Sequence, residues 1–138
     1  MNSPPRPAER GQRPIGNVLI VEDDPATREI ISTLLVSLGF HTVGAEDGLE
    51  ALHLLRAVRH RAPGTPCLVL LDLAMPRLGG SEFRRAQLDD PIVAAVPVAV
   101  MSGATDVVER AQRLGAVASI RKPLDFDTLV AVVKRYCA

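Results

Sequence analysis

The sequence predicts an α/β fold, a doubly wound parallel sheet with helices on both faces, and two patterns point to it. Short, continuous apolar runs recur along the 138 residues, as expected of strands that are buried on both faces. These runs alternate with segments whose apolar residues recur at helical spacing. Because crossovers between parallel strands are right-handed, five such alternations predict a sandwich of five strands and five helices.

The predicted strands are short segments, most of them rich in Val, Leu, Ile and Ala, and they are bounded by turn residues. In chain order they cover residues 18–21, 40–45, 67–71, 97–101 and 118–120. The third run, which begins at Cys67, is the most apolar stretch of the chain. Continuous apolar runs of this length favour central strands of a parallel sheet.

The predicted helices carry recognisable start and stop signals. Asp24 and Pro25 suit the N-cap and first position of the first helix, and Gly39 suits its end. The second helix is expected after Asp47-Gly48, and the later helices are expected to begin near residues 81, 104 and 125. Apolar residues expected to face the core are Ile30, Ile31, Leu34, Leu35 and Leu38 in the first helix, Leu49, Leu52 and Leu55 in the second, and Phe126, Leu129, Val130 and Val133 in the last.

Composition restricts the classes of function. Zero net charge, a pI near 6.8 and the absence of Trp argue against a protein built to bind nucleic acid. No apolar run is long enough to span a membrane. Residues 1–16, rich in Pro and Arg, are predicted to be a disordered tail, and residues 17–138 a single domain. Two cysteines suggest no disulfide framework, so Cys67 is predicted to be a small apolar strand residue and the chain to be cytoplasmic.

Residues suited to chemistry follow four of the predicted strands. They are Glu22 and Asp23, then Asp72, Ser102 and Lys122. In a parallel sheet the carboxyl ends of the strands share one edge, which is where ligands bind. The sequence therefore predicts that these five residues gather at one site.

Three carboxylates at one edge predict a bound cation. Two unit charges about 5 Å apart repel by roughly 3 kcal/mol at an effective dielectric of 20, and a divalent cation removes this cost. Oxygen ligands without Cys or His favour Mg²⁺ over zinc. Beside such a centre, Lys122 and Ser102 can hold phosphoryl oxygens, and Asp72 can act as the nucleophile that forms an acyl phosphate.

Five motifs carry a family resemblance. They are VLIVEDDPATRE (18–29), EDGLEAL (46–52), LVLLDLAMPRLGG (68–80), VPVAVMSG (96–103) and LGAVASIRKPL (114–124). In this order they resemble the receiver domain of two-component response regulators, of the single-domain type found in chemotaxis, over residues 17–138. The resemblance implies a flavodoxin-like receiver fold with strand order 2-1-3-4-5.

The resemblance also implies how a phosphoryl group would be held. Asp72 would be the phosphoacceptor. Ser102 would hydrogen-bond a phosphoryl oxygen, and Lys122 would form an ion pair with the phosphoryl group. Pro123 would follow a cis peptide bond, as the proline of the family's Lys-Pro pair does.

The implied Mg²⁺ site uses the ends of the first and third strands. Asp23 would bind the ion directly, and Glu22 would help through a water molecule. Asp72 and the backbone carbonyl of Ala74 would complete the protein ligands.

The resemblance implies signalling partners rather than turnover of a substrate. The phosphoryl group would come from a sensor histidine kinase or a histidine phosphotransfer protein. Output would pass to a downstream protein through the face formed by the fourth helix, fifth strand and fifth helix. No direct binding to nucleic acid or membrane is implied. The only catalysis expected is Mg²⁺-dependent self-phosphorylation and slow autodephosphorylation.

Other interpretations stay open. Ser119 stands three residues before Lys122, where the family usually has Tyr or Phe, so a swinging ring cannot report phosphorylation in this chain. An interaction module that works without phosphorylation is one alternative, and the receiver fragment of a hybrid kinase is another. A phosphatase with an aspartyl nucleophile is disfavoured because its second Asp would fall at Ala74. Arg77, in the loop after Asp72, is expected to be a solvated side chain.

Overall fold

The computed structural model describes residues 16–58, 64–75 and 77–138. Apart from Gly16, the tail predicted over residues 1–16 lies outside these ranges. The described chain forms a parallel sheet of five strands in the order β2-β1-β3-β4-β5. The strands are β1 (Asn17–Val21), β2 (His41–Ala45), β3 (Leu68–Asp72), β4 (Val98–Ser102) and β5 (Ala118–Arg121). The predicted doubly wound sheet and its strand order are confirmed.

Helices connect the strands and cover both faces of the sheet. Within the described ranges they are α1 (Pro25–Ser37), α2 (Gly48–Val58), α3 (Gly80–Leu88), α4 (Val107–Arg113) and α5 (Phe126–Cys137). Helices α1 and α5 cover one face, and α2, α3 and α4 cover the other. Among these described residues, no helix combines the length and the apolar content that crossing a bilayer requires.

The central strands are buried on both faces, as their continuous apolar runs predicted. Every residue of β1, β3 and β4 is buried. Because successive side chains face opposite ways, Leu19 and Val21 pack with α2, α3 and α4, while Val18 and Ile20 pack with α1 and α5. Each large side chain buried in this way contributes about 2 kcal/mol. These layers fix the positions of the strand ends.

The helices bury a narrower apolar stripe than predicted. Ile31 and Leu35 of α1 are buried, in agreement with the prediction. Four residues predicted to face the core are exposed instead: Ile30, Leu38, Leu49 and Phe126. A helix on a sheet buries only the side chains that point directly at the strands, so the flanks of a wide apolar stripe stay in solvent.

The ends of the helices follow the predicted signals more closely. The Asp24 side chain caps α1, and the Asp125 side chain caps α5. Helix α4 begins at Val107, three residues later than predicted, because residues 104–106 form a turn. The peptide bond between Lys122 and Pro123 is cis, as the family resemblance implied.

Cys67 and Cys137 form a disulfide bond, so the prediction that Cys67 is only a small apolar residue is wrong. Their Cα atoms lie 5.4 Å apart, although 70 residues separate them in sequence. No sequence pattern indicated the pairing, because only the fold brings the last turn of α5 beside the start of β3. The cysteine count therefore lends no support to a cytoplasmic location.

Candidate functional site

The topology of the sheet brings the predicted site residues to one edge. Glu22 and Asp23 follow β1, Asp72 ends β3, Ser102 ends β4 and Lys122 follows β5. These strands are parallel neighbours, so their carboxyl ends meet at the same edge. Residues a hundred positions apart in sequence thereby become neighbours.

Three carboxylates form a cluster at this edge. One oxygen each from Glu22, Asp23 and Asp72 lie within 4.8 Å of one another. Glu22 and Asp72 are buried and Asp23 is exposed, so the cluster opens to solvent on one side. Within the described residues, the buried Oε2 atom of Glu22 has no hydrogen-bond partner. Buried polar atoms are rarely left unpaired, so this oxygen is a donor that a ligand at the cluster could use.

The electrostatics of Glu22 point to the same conclusion. Burial, followed by the neighbouring Asp72 carboxylate, raises the pKa of Glu22 to about 8. A carboxylate that is both buried and beside another carboxylate is costly in its charged form. The three side chains offer only oxygen donors, one of them unpaired, and such a donor set fits a hard divalent cation such as Mg²⁺.

Lys122 forms ion pairs with two of the carboxylates. Its Nζ atom lies 2.6 Å from Glu22 Oε1 and 3.4 Å from Asp72 Oδ2. Burial lowers the pKa of Lys122, but the Glu22 and Asp72 carboxylates outweigh burial and raise it above the usual value. The ammonium therefore stays charged beside Asp72.

Backbone amides donate hydrogen bonds to two side chains of the site, Asp72 and Ser102. The Ala74 amide donates a hydrogen bond of 3.2 Å to Asp72 Oδ1. The buried Ser102 hydroxyl accepts a hydrogen bond of 3.0 Å from the Ala104 amide. These bonds orient the Asp72 carboxylate and tie Ser102 to the loop that follows β4.

Comparison with known proteins identifies the family of domains to which this arrangement of strand ends belongs. Residues 18–134 match the family model of the response regulator receiver domain. The chain belongs to this family. Its sheet order and its alternating helices are those of a receiver domain, so the resemblance drawn from the sequence is confirmed.

Relatives of this receiver domain include both short and long proteins. It is 31% identical over 121 residues to sporulation initiation phosphotransferase F of Bacillus subtilis (86% of this chain, 91% of the relative). It is 30% identical over 122 residues to the polar-differentiation response regulator DivK of Brucella anthropi (87% and 94%). It spans only 25% of the regulatory protein AtoC of Escherichia coli.

A solved structure shows the same likeness in three dimensions. The response regulator receiver protein from Pseudomonas putida is 33% identical and superimposes with a TM-score of 0.74. The match covers 89% of this receiver domain and 97% of that chain. Sequence and backbone therefore agree on the family.

Arg28 is a residue of the receiver site that sequence reasoning missed. Its Nη1 atom donates a hydrogen bond of 2.6 Å to the backbone carbonyl of Glu22. This contact ties α1 to the turn that carries the acidic pair. The sequence shows only that Arg28 lies in the first turn of α1. Many solvent-exposed arginines lie at such positions, so this signal did not single it out.

Arg77 is more constrained than the solvated side chain that we expected. Its guanidinium pairs with the exposed Glu46 and with the buried Asp47. Its backbone lies in the left-handed region, with φ at 59°. The Leu78 carbonyl next to it accepts a hydrogen bond of 2.9 Å from the Gly48 amide. The loop after Asp72 is thereby tied to the turn between β2 and α2.

The face formed by α4, β5 and α5 contains an open cavity of about 420 Å³. Ser119 lines this cavity together with Val107, Arg121 and Thr128. The small Ser119 side chain is only partly buried. The position where the family usually has a ring therefore offers space in this receiver domain.

A second cavity, beside Lys122, is lined mainly by apolar residues. Ile30 and Phe126, both exposed, line a cavity of about 320 Å³ with Lys122, Pro123 and Leu124. The cavity lies between α1 and the loop that precedes α5. Lys122 thus contacts the acid cluster on one side and an apolar surface on the other.

Proposed function

We propose that this receiver domain accepts a phosphoryl group on Asp72 from a phosphohistidine and signals through a partner protein. The donor would be a sensor histidine kinase or a histidine phosphotransfer protein, the partners with which receiver domains work. The observation that carries the proposal is the cluster of Glu22, Asp23 and Asp72 with Lys122 at hydrogen-bonding distance.

Mg²⁺ is the cofactor that we propose for this cluster. Asp23, Asp72 and the backbone carbonyl of Ala74 would hold the ion, with Glu22 helping through water. When bound, the ion neutralises the carboxylates and the charge that develops on the phosphoryl oxygens. The unpaired Glu22 Oε2 and the raised pKa of Glu22 support a cation at this place.

The chemistry of transfer follows from the contacts of Asp72. One carboxylate oxygen of Asp72 attacks phosphorus, and the bond between phosphorus and the histidine nitrogen breaks. The nitrogen leaves with the electron pair, and because the other ring nitrogen of the phosphohistidine carries a proton, the products are an acyl phosphate and a neutral imidazole. Lys122, already 3.4 Å from Asp72, exchanges its Glu22 contact for a phosphoryl oxygen. The Ser102 hydroxyl turns from the Ala104 amide toward another phosphoryl oxygen.

The proposed output surface is the face of α4, β5 and α5. Movement of Ser102 would pull the loop after β4, which leads directly into α4. The change between inactive and active conformations that is expected of a receiver would then be transmitted by movement of the backbone after β4. It would not require an aromatic side chain at position 119. We propose a cytoplasmic site of action without direct contact to nucleic acid, and no catalysis beyond the domain's own phosphorylation and its slow reversal.

One observation favours a second candidate function. The cavity at Ser119 lacks the aromatic side chain that usually couples phosphorylation to output. A domain that binds its partner without phosphorylation is therefore the alternative. It predicts the same partner affinity with and without a phosphoryl group.

Intact mass spectrometry after incubation with Mg²⁺ and a small phosphodonor tests the main proposal. Acetyl phosphate and phosphoramidate serve as donors, the second because it contains a bond between phosphorus and nitrogen. We expect the wild type to gain one phosphoryl group and Asp72→Asn to gain none. Asp127→Asn, which changes an exposed aspartate on α5, is the matched control and should behave like the wild type.

Chelation of Mg²⁺ by EDTA should abolish the gain. Uptake by Asp72→Asn at the wild-type rate would overturn the assignment of the acceptor. No uptake by the wild type from either donor would favour the interaction module.

A further inference from the structure

The disulfide between Cys67 and Cys137 lies at the edge of the sheet opposite to the acid cluster. Cys67 precedes β3, and Cys137 is the last residue of α5. Asp72 is the fifth residue after Cys67 and ends β3, so the two residues lie roughly 16 Å apart along the strand. The bond therefore joins α5 to the sheet without touching the proposed phosphorylation site.

The surroundings of both sulfur atoms also suit the reduced state. Cys67 Sγ lies 3.2 Å from the backbone carbonyl oxygen of Asn17, a distance at which a thiol donates a hydrogen bond. Cys137 is buried in the apolar layer that α5 forms with the sheet, where a free cysteine behaves as a small apolar residue. Reduction would thus leave neither sulfur in an unfavourable place.

Access to the bond differs between its two ends. Cys67 is partly exposed, whereas Cys137 is only 4% exposed. Gly16 lies directly against the bond, since a Cβ atom there would stand 2.6 Å from Cys67 Sγ and 3.0 Å from Cys137 Cβ. Because Cys67 is the more exposed of the two residues, we expect a thiolate to attack its sulfur and Cys137 to be the buried leaving group.

We propose that Cys67 and Cys137 form a reversible modification site that exchanges with low-molecular-weight thiols and disulfides such as glutathione. In oxidation, the Cys67 thiolate attacks oxidised glutathione and releases one glutathione thiolate. The Cys137 thiolate then attacks the mixed disulfide at Cys67 and releases the second. The protein loses two electrons and two protons, and one molecule of oxidised glutathione becomes two of reduced glutathione.

Whether the disulfide can be reduced and reformed matters in the compartment proposed for this domain. A receiver that works with a kinase in a reducing compartment would meet millimolar thiols, where protein disulfides are mostly transient. This step rests on the proposed function, whereas the pairing of the cysteines does not. Closure of the bond fixes the last turn of α5 to β3, so the redox state acts on one side of the proposed output face.

Thiol labelling at controlled redox ratios tests the proposal. The protein is equilibrated in buffers of different ratios of reduced to oxidised glutathione, starting from both the oxidised and the reduced form. Acid quenching, unfolding and labelling with a maleimide of high mass then count the free thiols. We expect two free thiols in reducing buffer, none in oxidising buffer, and the same midpoint from both directions. Cys137→Ser should show one free thiol in reducing buffer and none in oxidising buffer, where its Cys67 stays as a mixed disulfide with glutathione. Cys67→Ser, whose remaining thiol is buried, should keep one labelled thiol throughout.

Either of two results would overturn the proposal. Thiols that stay free in excess oxidised glutathione would show that the bond does not form. A bond that persists in the folded wild type under millimolar reduced glutathione would show a permanent crosslink. Neither readout involves phosphorylation, so a domain that fails to accept a phosphoryl group can still pass this test.

Hydrogen exchange measures the effect on α5. We expect amides of residues 126–138 to exchange more slowly in the oxidised form, whereas amides of β1 keep the same rate. The double variant C67S/C137S should show the faster exchange in both buffers. Equal exchange of α5 in the two wild-type forms would overturn the claim that the bond fixes this helix.

Discussion

At the scale of single residues, Glu22 lies fully buried between a lysine that it contacts and an aspartate that repels it. Burial and Asp72 raise its pKa to about 8, and the contact with Lys122 satisfies only one of its two oxygens. The fold thus maintains an acidic cluster that suits the positive ligand proposed for it. Stability should respond when that ligand is supplied.

We expect Mg²⁺ to raise the midpoint of thermal unfolding. An ion that binds only the folded state stabilises it by mass action, by about 2.7 kcal/mol at a concentration of 100 times Kd. Asp23→Asn should lose most of this response, whereas Glu29→Gln, an exposed change on α1, should keep it. Calorimetry in Mg²⁺ and in EDTA provides the measurement. An undiminished response in Asp23→Asn would contradict the proposed ligands.

Arg77 offers a test of how the acceptor loop is held. Arg77→Ala should raise the Mg²⁺ concentration needed for half-maximal phosphorylation, because the loop carrying Ala74 loses its tie to Asp47. The guanidinium is largely in solvent, where ion pairs are weak, so we expect a shift of roughly fivefold or less. The rate at saturating Mg²⁺ should change less than the half-saturation value.

Two further variants make the Arg77 experiment specific. Arg77→Lys keeps the charge and should recover some of the shift. Arg85→Ala, an exposed change on α3, is the matched control and should leave the Mg²⁺ dependence unaltered. If Arg77→Ala lowered the saturated rate alone, a role in holding the Mg²⁺ loop would be wrong.

Asp47 predicts a dependence of stability on pH. Burial raises its pKa, but hydrogen bonds from the Glu50 amide and from Arg77 outweigh burial and hold the pKa below its usual value of 3.8. A lowered pKa in the folded state gives stability that is complete above the unfolded-state pKa and is lost as pH falls through the folded-state pKa.

Asp47→Asn should therefore cost about 1 kcal/mol at neutral pH, because the hydrogen bond that Asp47 accepts from the Glu50 amide in the first turn of α2 and the ion pair with Arg77 are both weakened. The difference from the wild type should shrink below pH 3.8. Urea unfolding at neutral and acidic pH measures it, with Glu29→Gln as the control. An equal deficit at both pH values would mean that the charge of Asp47 plays no role.

At the scale of elements, the strands were predictable and the helix faces were not. A strand buried on both faces shows an unbroken apolar run, and β1, β3 and β4 are such strands. The sequence of a helix shows only a stripe of apolar residues, and the width of the stripe that is buried depends on the neighbouring elements. Ile30 and Phe126 were therefore wrongly assigned to the core. The turn at residues 104–106 has no breaker residue that would have delayed the predicted start of α4.

The crosslink between β3 and α5 predicts a large contribution to stability. It closes a loop of 70 residues, for which the loss of chain entropy in the unfolded state amounts to about 4 kcal/mol. The double variant C67S/C137S should lose a substantial share of this free energy of unfolding. Denaturant unfolding with and without a reducing agent measures it. Reductant should destabilise the wild type and leave the double variant unchanged.

At the scale of the whole molecule, most of the candidate site was predictable because of one rule of parallel sheets. Strand order and direction bring Glu22, Asp23, Asp72, Ser102 and Lys122 to one edge, whatever their separation in sequence. No comparable rule places side chains that reach in from helices and loops. Arg28 and Arg77 were missed for that reason, and so was the partner of Cys67.

The disulfide also divides the molecule into two mechanical units. Residues 67–137 form a covalent ring in the oxidised form, whereas β1, α1, β2 and α2 lie outside it. If the molecule were pulled from its two ends, the residues within the ring could not extend, which would shorten the fully stretched chain by roughly 240 Å. Glu22 and Asp23 would be drawn away first, while Asp72, Ser102 and Lys122 stayed in the ring. In the oxidised form, stretching would thus separate Glu22 and Asp23 from the residue proposed to carry the phosphoryl group.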